Sequence, residues 1–270
     1  MSAPVIGFPV VGFPVVGLPV VGLPVVSFVV PAYNEETRLA RTLDGIIAEI
    51  SRAGCVAEII VVNNASTDGT GAIAAGYDQV IVVEEPEKGL VQARAAGYRR
   101  ATGELIANVD ADTIVTEGWL GRVLTEFGAD PKLVALSGPY IYYDLSRPVR
   151  FAVRAFYCGG YFFYLLNRFV LRNGSMLQGG NFVVRRTAME AIGGFNPRFT
   201  FYGEDTDLAR RLSAVGAVKF TFGLPALSSG RRLAEEGLLK IGLRYAMNFV
   251  WATFFHRPFT DRYLDIRSEP

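Results

Sequence analysis

Short apolar runs alternate with segments of helical periodicity from Val25 onward, and this alternation limits the possible folds more than any other feature of the chain. Between the runs lie helical segments, the first with leucine and isoleucine at helical spacing from Leu39 to Ile50. Strands that alternate with helices form a parallel sheet with helices on both faces. The sequence therefore predicts an α/β fold with a doubly wound, mostly parallel sheet and a helical C-terminal extension. The predicted strands are Val25–Val30, Glu58–Val62, Val80–Glu84 and 105–109.

Composition excludes several kinds of function. The chain has 270 residues, half of them hydrophobic, so it can bury a large core, and its net charge of +1 gives no footprint for nucleic acid. Cys55 and Cys158 lack metal-ligand spacing and suit a reducing compartment, so we expect a cytoplasmic protein without a zinc site. The single histidine, His256, leaves acid–base chemistry to carboxylates.

Residues 1–24 form a five-residue repeat of proline, valine and glycine that contains no charged side chain. Proline at every fifth position costs a helix about 3 kcal/mol each, which argues against a membrane span. No basic segment precedes the apolar stretch, which argues against a signal peptide. We therefore expect a disordered or loosely extended tail.

Polar clusters follow three of the predicted strands. They are the stretches 31–35 (PAYNE) and 63–67 (NNAST), and the pair Asp110 and Asp112. Ligands bind open α/β sheets beyond the carboxyl ends of the strands, so these clusters predict a site at that edge.

Asp110 and Asp112 present a chemical problem of their own. In an extended chain, residues i and i+2 point to the same side, and two like charges there repel unless a cation lies between them. A divalent metal is the usual partner of such carboxylates. The alternative is an Asp-rich turn in which Asp112 begins the next helix. This stretch alone leaves both interpretations open.

The stretch 201–208 (FYGEDTDL) supplies the candidate acid–base residues. A helix is predicted to begin near Asp205, with an apolar face formed by Leu208, Leu212 and Val215. The first turn of a helix stabilises a carboxylate anion, which keeps it available as a general base. The alternative is that Asp205 only caps the helix and that Asp207 only favours its dipole.

Phe151–Leu171 is rich in phenylalanine and tyrosine, with arginines at both ends. Its uncharged part, Ala155–Asn167, is too short to span a bilayer of about 30 Å. It fits an amphipathic helix at a membrane surface or an ordinary aromatic core helix. The predicted C-terminal helix, from Leu233 to about Phe255, allows the same two interpretations.

Five motifs follow one another along the chain: PAYNEE, EIIVVNNASTDGT, KGLVQARAAGYRRATGELIANVDAD, GGNFVVRRTAMEAIGGF and GEDTDLARRL. In this order and spacing, from about Ser27 to Arg232, they resemble the family-2 inverting glycosyltransferases of GT-A fold. The resemblance implies transfer of a sugar from a nucleotide diphosphate to an acceptor, with inversion and with Mg²⁺ or Mn²⁺. The acceptor is expected to be a cell-envelope glycan or a lipid-linked molecule.

The resemblance also implies roles for single residues. Asp112 would hold the metal with Asp110 beside it, Asp205 would be the base, and Glu204 would contact acceptor or sugar hydroxyls. Asn64 falls where the family usually has an Asp that reads the base edge, which leaves UDP as the expected nucleotide. The residues implied in nucleotide-sugar binding are Pro31, Ala32, Tyr33, Glu35, Asn64, Lys88, Asp110, Arg231 and Arg232.

Other interpretations of these residues stay open. Asn63 and Asn64 could be left-handed turn residues, Asp68 is expected to cap a helix over 69–76, and Arg94 could lie on the wet face of its helix. Two rival functions are a sugar nucleotidyltransferase and a non-catalytic sugar-nucleotide or glycan-binding protein. A peripheral position at the inner membrane face is an alternative to a free cytoplasmic one.

The expected division of the chain has four parts. They are the tail (1–24), a nucleotide-sugar-binding half (25–138), an acceptor-binding and catalytic half (139–232) and a helical extension (233–270).

Overall fold

A computed structural model describes residues 25–166 and 176–260. The repeat over residues 1–24 and the end of the aromatic segment, 167–171, lie outside the described residues. Within them the strands are β1 Val26–Ala32, β2 Ala57–Asn64, β3 Val80–Glu85, β4 Leu105–Val109, β5 Thr113–Val115, β6 Leu133–Ser137, β7 Tyr140–Tyr142, β8 Asn181–Arg185, β9 Ala217–Phe220 and β10 Ala226–Ser228. The helices are α1 Leu39–Ala53, α2 Thr70–Ala75, α3 Leu90–Arg100, α4 Trp119–Ala129, α5 Arg147–Leu166, α6 Arg186–Ala191, α7 Glu204–Ser213, α8 Arg231–Glu236 and α9 Leu238–Phe255.

The central sheet has the strand order β3-β2-β1-β4-β8-β6-β9. All neighbouring strands are parallel except β8, which runs antiparallel to both β4 and β6. A smaller sheet has the order β5-β10-β7. The predicted α/β fold with a mostly parallel sheet is confirmed.

Apolar cores lie on both faces of the central sheet because successive side chains of a strand point to opposite sides. Phe28 of β1 faces α1 and α4, where its ring centroid lies 6.0 Å from that of Trp119. Val29, the next residue, belongs to the other core, together with Ala93 of α3 and Leu208 of α7. Helices therefore cover both faces, as predicted.

Three predicted boundaries need correction. β1 continues through Ala32, which pairs with Asn63, so the PAYNE motif begins inside the strand. Val215 follows the end of α7 and is exposed, so it is not part of that helix's apolar face. The predicted C-terminal helix is broken at Gly237, whose φ of 85° suits glycine and separates α8 from α9.

Within the two described ranges, no helix combines the length and the apolar character needed to cross a membrane.

Candidate active site

The loops after β1 and β2 are joined by hydrogen bonds. The backbone N–H of Thr67 donates to Asn34 Oδ1 (2.8 Å), and that of Glu35 donates to Thr70 Oγ1 (2.8 Å). Asp68 Oδ1 accepts from the backbone N–H of Thr70 (2.9 Å), but α2 begins at Thr70 with Gly69 as its N-cap, so Asp68 lies one residue before the capping position predicted for it. These hydrogen bonds hold together the loops that follow β1 and β2 at the carboxyl-terminal edge of the central sheet.

A pocket opens at this edge. Lys88 lies across it, with Nζ donating to the hydroxyl of Tyr33 (2.7 Å) and 3.9 Å from the centre of that ring. The sequence did not indicate Phe201, which reaches the pocket from the loop before α7. The lining residues are Pro31, Ala32, Tyr33, Asn64, Lys88, Gly89, Leu90, Ala93 and Phe201.

Asn64 lines the pocket, but its amide binds the loop that follows β3. It donates to the carbonyls of Glu85 (3.0 Å) and Glu87 (2.7 Å) and accepts from the N–H of Gly89 (2.8 Å). Ala65, with a φ of 55°, is the left-handed residue here, so the turn interpretation of Asn64 is wrong. Asn64 thus positions the loop that carries Lys88, and its contact with a base stays a prediction.

Arg94, Asp110 and Glu204 form what we call the inner arginine cluster. Arg94 is only 1% exposed, so the interpretation that it lies on a wet helix face is wrong. Its guanidinium donates to Asp110 Oδ1 (2.9 Å), to the carbonyl of Gly179 (3.0 Å) and to Glu204. Burial opposes the charge of Arg94, but the two carboxylates raise its pKa above the ordinary value. It is therefore a fixed buried cation.

Glu204 and Asp205 begin α7 beside this cluster. Burial raises the pKa of Glu204 to about 7, although Arg94 acts in the opposite direction. Burial also raises the pKa of Asp205, against Arg94 and the N–H of Thr206, which donates to Asp205 Oδ1 (2.7 Å). Glu204 Oε2 is buried without a hydrogen-bond partner among the described residues. Glu204 is therefore held by an ion pair with Arg94, and Asp205 by the backbone N–H of Thr206.

The strand β8 brings a glycine pair against the cluster. The N–H of Asp110 donates to the carbonyl of Gly180 (3.3 Å), and a Cβ added to Gly180 would lie 2.0 Å from Asp110 Cγ. Only glycine fits this close approach. The hydroxyl of Tyr140 donates to Asp110 Oδ2 (3.2 Å), and burial keeps the pKa of Tyr140 well above its ordinary value. Tyr140 and Gly180 were missed from the sequence, although Gly180 lies in the quoted GGNF segment.

Arg231, Glu35 and Asp112 form what we call the outer arginine cluster. β10 pairs antiparallel with β5 in a register that aligns Ser228 with Thr113. The chain leaving β10 therefore reaches the turn before β5, and Arg231 Nη2 lies 3.2 Å from Asp112 Oδ2 while also contacting Glu35. Because β5 follows Asp112 directly, the interpretation that Asp112 begins a helix is wrong.

Arg232 is oriented differently from Arg231. It donates to Glu236 Oε1 (3.2 Å), and its guanidinium carbon lies 4.7 Å from the ring centre of Phe201, which lines the pocket. The two arginines therefore approach the site from different sides.

Asp110 and Asp112 suit a hard divalent metal only in part. They lie in a turn closed by the N–H of Thr113 donating to the carbonyl of Asp110 (2.9 Å), rather than in an extended chain. Among the residues that the structure describes, no group of three or more potential ligand side chains could hold a metal. Magnesium is commonly held by one or two carboxylates with substrate phosphates and water. The pair fits a metal that arrives with a diphosphate.

Comparisons with known proteins agree with this geometry. The model of glycosyl transferase family 2 matches residues 27–193, and that of the N-terminal domain of galactosyltransferase matches 168–223. The dolichyl-phosphate beta-glucosyltransferase ALG5C of Trichomonas vaginalis is 40% identical over 96 residues, which cover 32% of this chain and 28% of that protein. The chain spans less than half the length of the curated relatives it matches.

Two solved structures show the same fold. The mannosyltransferase PcManGT of Pyrobaculum calidifontis, in complex with GDP-Man and Mn²⁺, has a TM-score of 0.57 at 23% identity over 77% of this chain and 58% of that chain. TarS of S. aureus, in complex with UDP-GlcNAc, has a TM-score of 0.57 at 15% identity over 76% of this chain and 58% of that chain. Because the first family model covers more than half of the chain, the protein belongs to glycosyl transferase family 2, with a GT-A fold.

Proposed function

We propose that this member of glycosyl transferase family 2 transfers a sugar from a UDP-sugar to an acceptor hydroxyl, with inversion at the anomeric carbon. The observation that carries the proposal is Arg94, which joins Asp110 on the donor side to Glu204 and, next to it, Asp205. One arginine thus binds a residue of the proposed donor site and the residue that precedes the candidate base.

The donor's nucleoside would occupy the pocket at the ends of β1 and β2, between Tyr33 and Phe201. Arg231 would turn from Asp112 to the diphosphate, because a guanidinium binds phosphate oxygens well. Asp112 and Asp110 would hold Mg²⁺ or Mn²⁺, which would neutralise negative charge on the diphosphate. The Mn²⁺ named with the mannosyltransferase neighbour supports a divalent metal.

Asp205 is proposed as the general base. The acceptor oxygen would bond to the anomeric carbon, the bond from that carbon to the diphosphate would break, and the acceptor's proton would pass to Asp205. A single displacement of this kind inverts the configuration at the carbon. Asp205 is preferred to Glu204 because Glu204 is paired with Arg94. The buried, unpartnered Glu204 Oε2 suits a contact with a substrate hydroxyl.

The acceptor is proposed to be a lipid-linked molecule or a cell-envelope glycan met on the cytoplasmic side of a membrane. The name of the Trichomonas relative, a dolichyl-phosphate glucosyltransferase, supports the first class.

A donor panel tests the proposal. UDP-, GDP- and dTDP-sugars are each incubated with and without Mn²⁺, and the release of nucleoside diphosphate is measured for the wild type and Asp205→Asn. We expect metal-dependent release of UDP that the variant lacks. Pyrophosphate formed from a sugar phosphate and a nucleoside triphosphate would instead indicate a nucleotidyltransferase. Donor binding without turnover would indicate a binding protein.

A further inference from the structure

The helix α5 has one face packed on the body of the protein and one face exposed. On the inner face Tyr157 stacks on Phe220 of β9, with ring centroids 6.2 Å apart, and Tyr164 is buried. On the outer face Phe151 is 75% exposed and Phe162 is 65% exposed. A helix that covers a soluble protein normally turns polar side chains outward, so this outer face needs a separate explanation.

Four of the exposed residues of α5 form a continuous line, and the exposed Phe156 lies on another side of the helix. Phe151, Ala155, Cys158 and Phe162 follow one another at intervals of three or four residues, which places them on one side of the helix. We call these four residues the outer stripe. It extends over about 16 Å, at 1.5 Å per residue. The stripe lies on the convex surface of a single helix, which suits a flat partner.

The charged residues of α5 indicate which kind of flat partner it fits. Arg147, Arg150 and Arg154 are exposed in the first half of α5, and none of them forms an ion pair among the described residues. The helix contains no acidic residue. A basic edge beside exposed phenylalanine is the pattern of a helix that lies in the interface of an anionic bilayer.

We propose that α5 docks the protein on an anionic membrane surface, with the outer stripe among the lipid headgroups and acyl chains and its arginines on the lipid phosphates. The proposal goes beyond the sugar transfer proposed above and does not depend on it. Each of the two interpretations of the aromatic segment then applies to one face of α5. The inner face belongs to the core, and the outer face is the membrane-surface side.

The docked helix would hold the site near the lipid. The hydroxyl of Tyr157, on the inner face, donates to Gln178 Oε1 (2.6 Å) and accepts from the N–H of Tyr140 (3.2 Å). The hydroxyl of Tyr140 in turn donates to Asp110. Two contacts therefore connect the membrane-facing helix to a carboxylate of the candidate metal pair, and a lipid-linked acceptor would come within reach.

Cys158 allows a direct test because it is exposed in the stripe and Cys55 is the only other cysteine. The full chain carrying Cys55→Ser is labelled at Cys158 with an environment-sensitive fluorophore. It is then mixed with vesicles of phosphatidylcholine, or of phosphatidylcholine and phosphatidylglycerol in about a 7:3 ratio. We expect a blue shift with the anionic vesicles that salt weakens, and little shift with the neutral ones.

Variants assign the binding to α5. The double variant Arg147→Gln/Arg154→Gln should bind the anionic vesicles about 25-fold more weakly, at about fivefold per basic residue. Phe151→Ser should weaken binding by about tenfold. Val56→Ser and Arg99→Gln replace exposed residues away from α5 and should bind as the wild type does. Thermal unfolding checks that every variant is folded.

The proposal is overturned if the labelled protein neither shifts nor sediments with anionic vesicles, or if the α5 variants bind as well as the controls. A shift without lipid that grows with protein concentration would assign the stripe to a second copy of the chain and also overturn it. Vesicle binding with no sugar transfer would leave docking intact and count against the proposed function alone.

Discussion

The inner and outer arginine clusters use the same chemistry, a guanidinium between two carboxylates, with different accessibility. Arg94 is 1% exposed and is held by α7, by the turn that contains Asp110 and by the carbonyl of Gly179. The side chain of Arg231, at the start of the short helix α8, is 15% exposed. Burial makes Arg94 a fixed part of the fold, whereas Arg231 is proposed to exchange its carboxylates for a ligand.

Asp205→Asn should have the largest effect, because it removes the proposed general base. General-base catalysis contributes about 10²–10⁴-fold, so kcat should fall by that factor while donor affinity stays near the wild type. Because burial raises the pKa of Asp205, wild-type activity should fall with decreasing pH at values above those for an ordinary Asp. Steady-state kinetics across pH measure both effects.

Asp207→Asn is the matched control in the same helical turn. Asp207 binds Arg210 (2.9 Å) and Arg211 (2.8 Å), so the loss should appear in thermal stability and leave kcat near the wild type. The stability loss should exceed the helix-dipole contribution of about 0.3–1 kcal/mol, because the carboxylate is buried. If Asp205→Asn retains transfer activity and Glu204→Gln loses it, the base is Glu204.

Arg94→Met should destabilise the fold by about 3–5 kcal/mol, because it leaves the buried Glu204 carboxylate without its cation. Urea unfolding measures the change. The loss should be larger at pH 8 than at pH 5. Burial raises the pKa of Glu204 to about 7 in the wild type, and removal of the opposing Arg94 should raise this pKa further. At pH 5 Glu204 is therefore neutral in the folded variant. At pH 8 the same carboxyl is ionised in the unfolded chain, and ionising it in the folded variant without a cation lowers the free energy of unfolding.

Arg231→Met should cost less stability than Arg94→Met. Arg38 lies 3.9 Å from Glu35, so this buried carboxylate keeps a neighbouring cation, whereas Glu204 loses the only cation with which it forms an ion pair among the described residues. Equal losses in the two variants would contradict the distinction between a fixed and an exchangeable cation.

Most of the central fold and the position of the polar motifs could be predicted from the sequence, because apolar periodicity is a local signal. The bounds of β4 match the predicted 105–109, and the polar motifs lie at the expected strand ends. The inner cluster could not be predicted, since Arg94 shares its helix with the solvated Arg99 and its burial depends on Glu204, 110 residues later. Asn64 was misjudged for the same reason, because its partners lie in a loop 21 to 25 residues away.

Arg231→Ala should weaken ligand binding in addition to the modest loss of stability expected of Arg231→Met. A hydrogen bond to a charged group is worth about 1.5–3 kcal/mol, so affinity for the donor should fall by about 10- to 150-fold. Arg232→Ala is the control, because Arg232 is paired with Glu236, and its effect should be smaller. Isothermal titration with a UDP-sugar measures both, and a larger effect for Arg232 would reverse their assignment.

Asp112 and Asp110 are proposed to hold a metal together with the donor's diphosphate. Calorimetry of UDP binding, with and without Mn²⁺, tests it most directly in the wild type and in Asp112→Ala. We expect Mn²⁺ to strengthen UDP binding in the wild type and to have no effect in the variant, whose fold survives because Asp112 lies in a turn beyond the central sheet. Equal UDP affinity with and without Mn²⁺ in both proteins would contradict the claim.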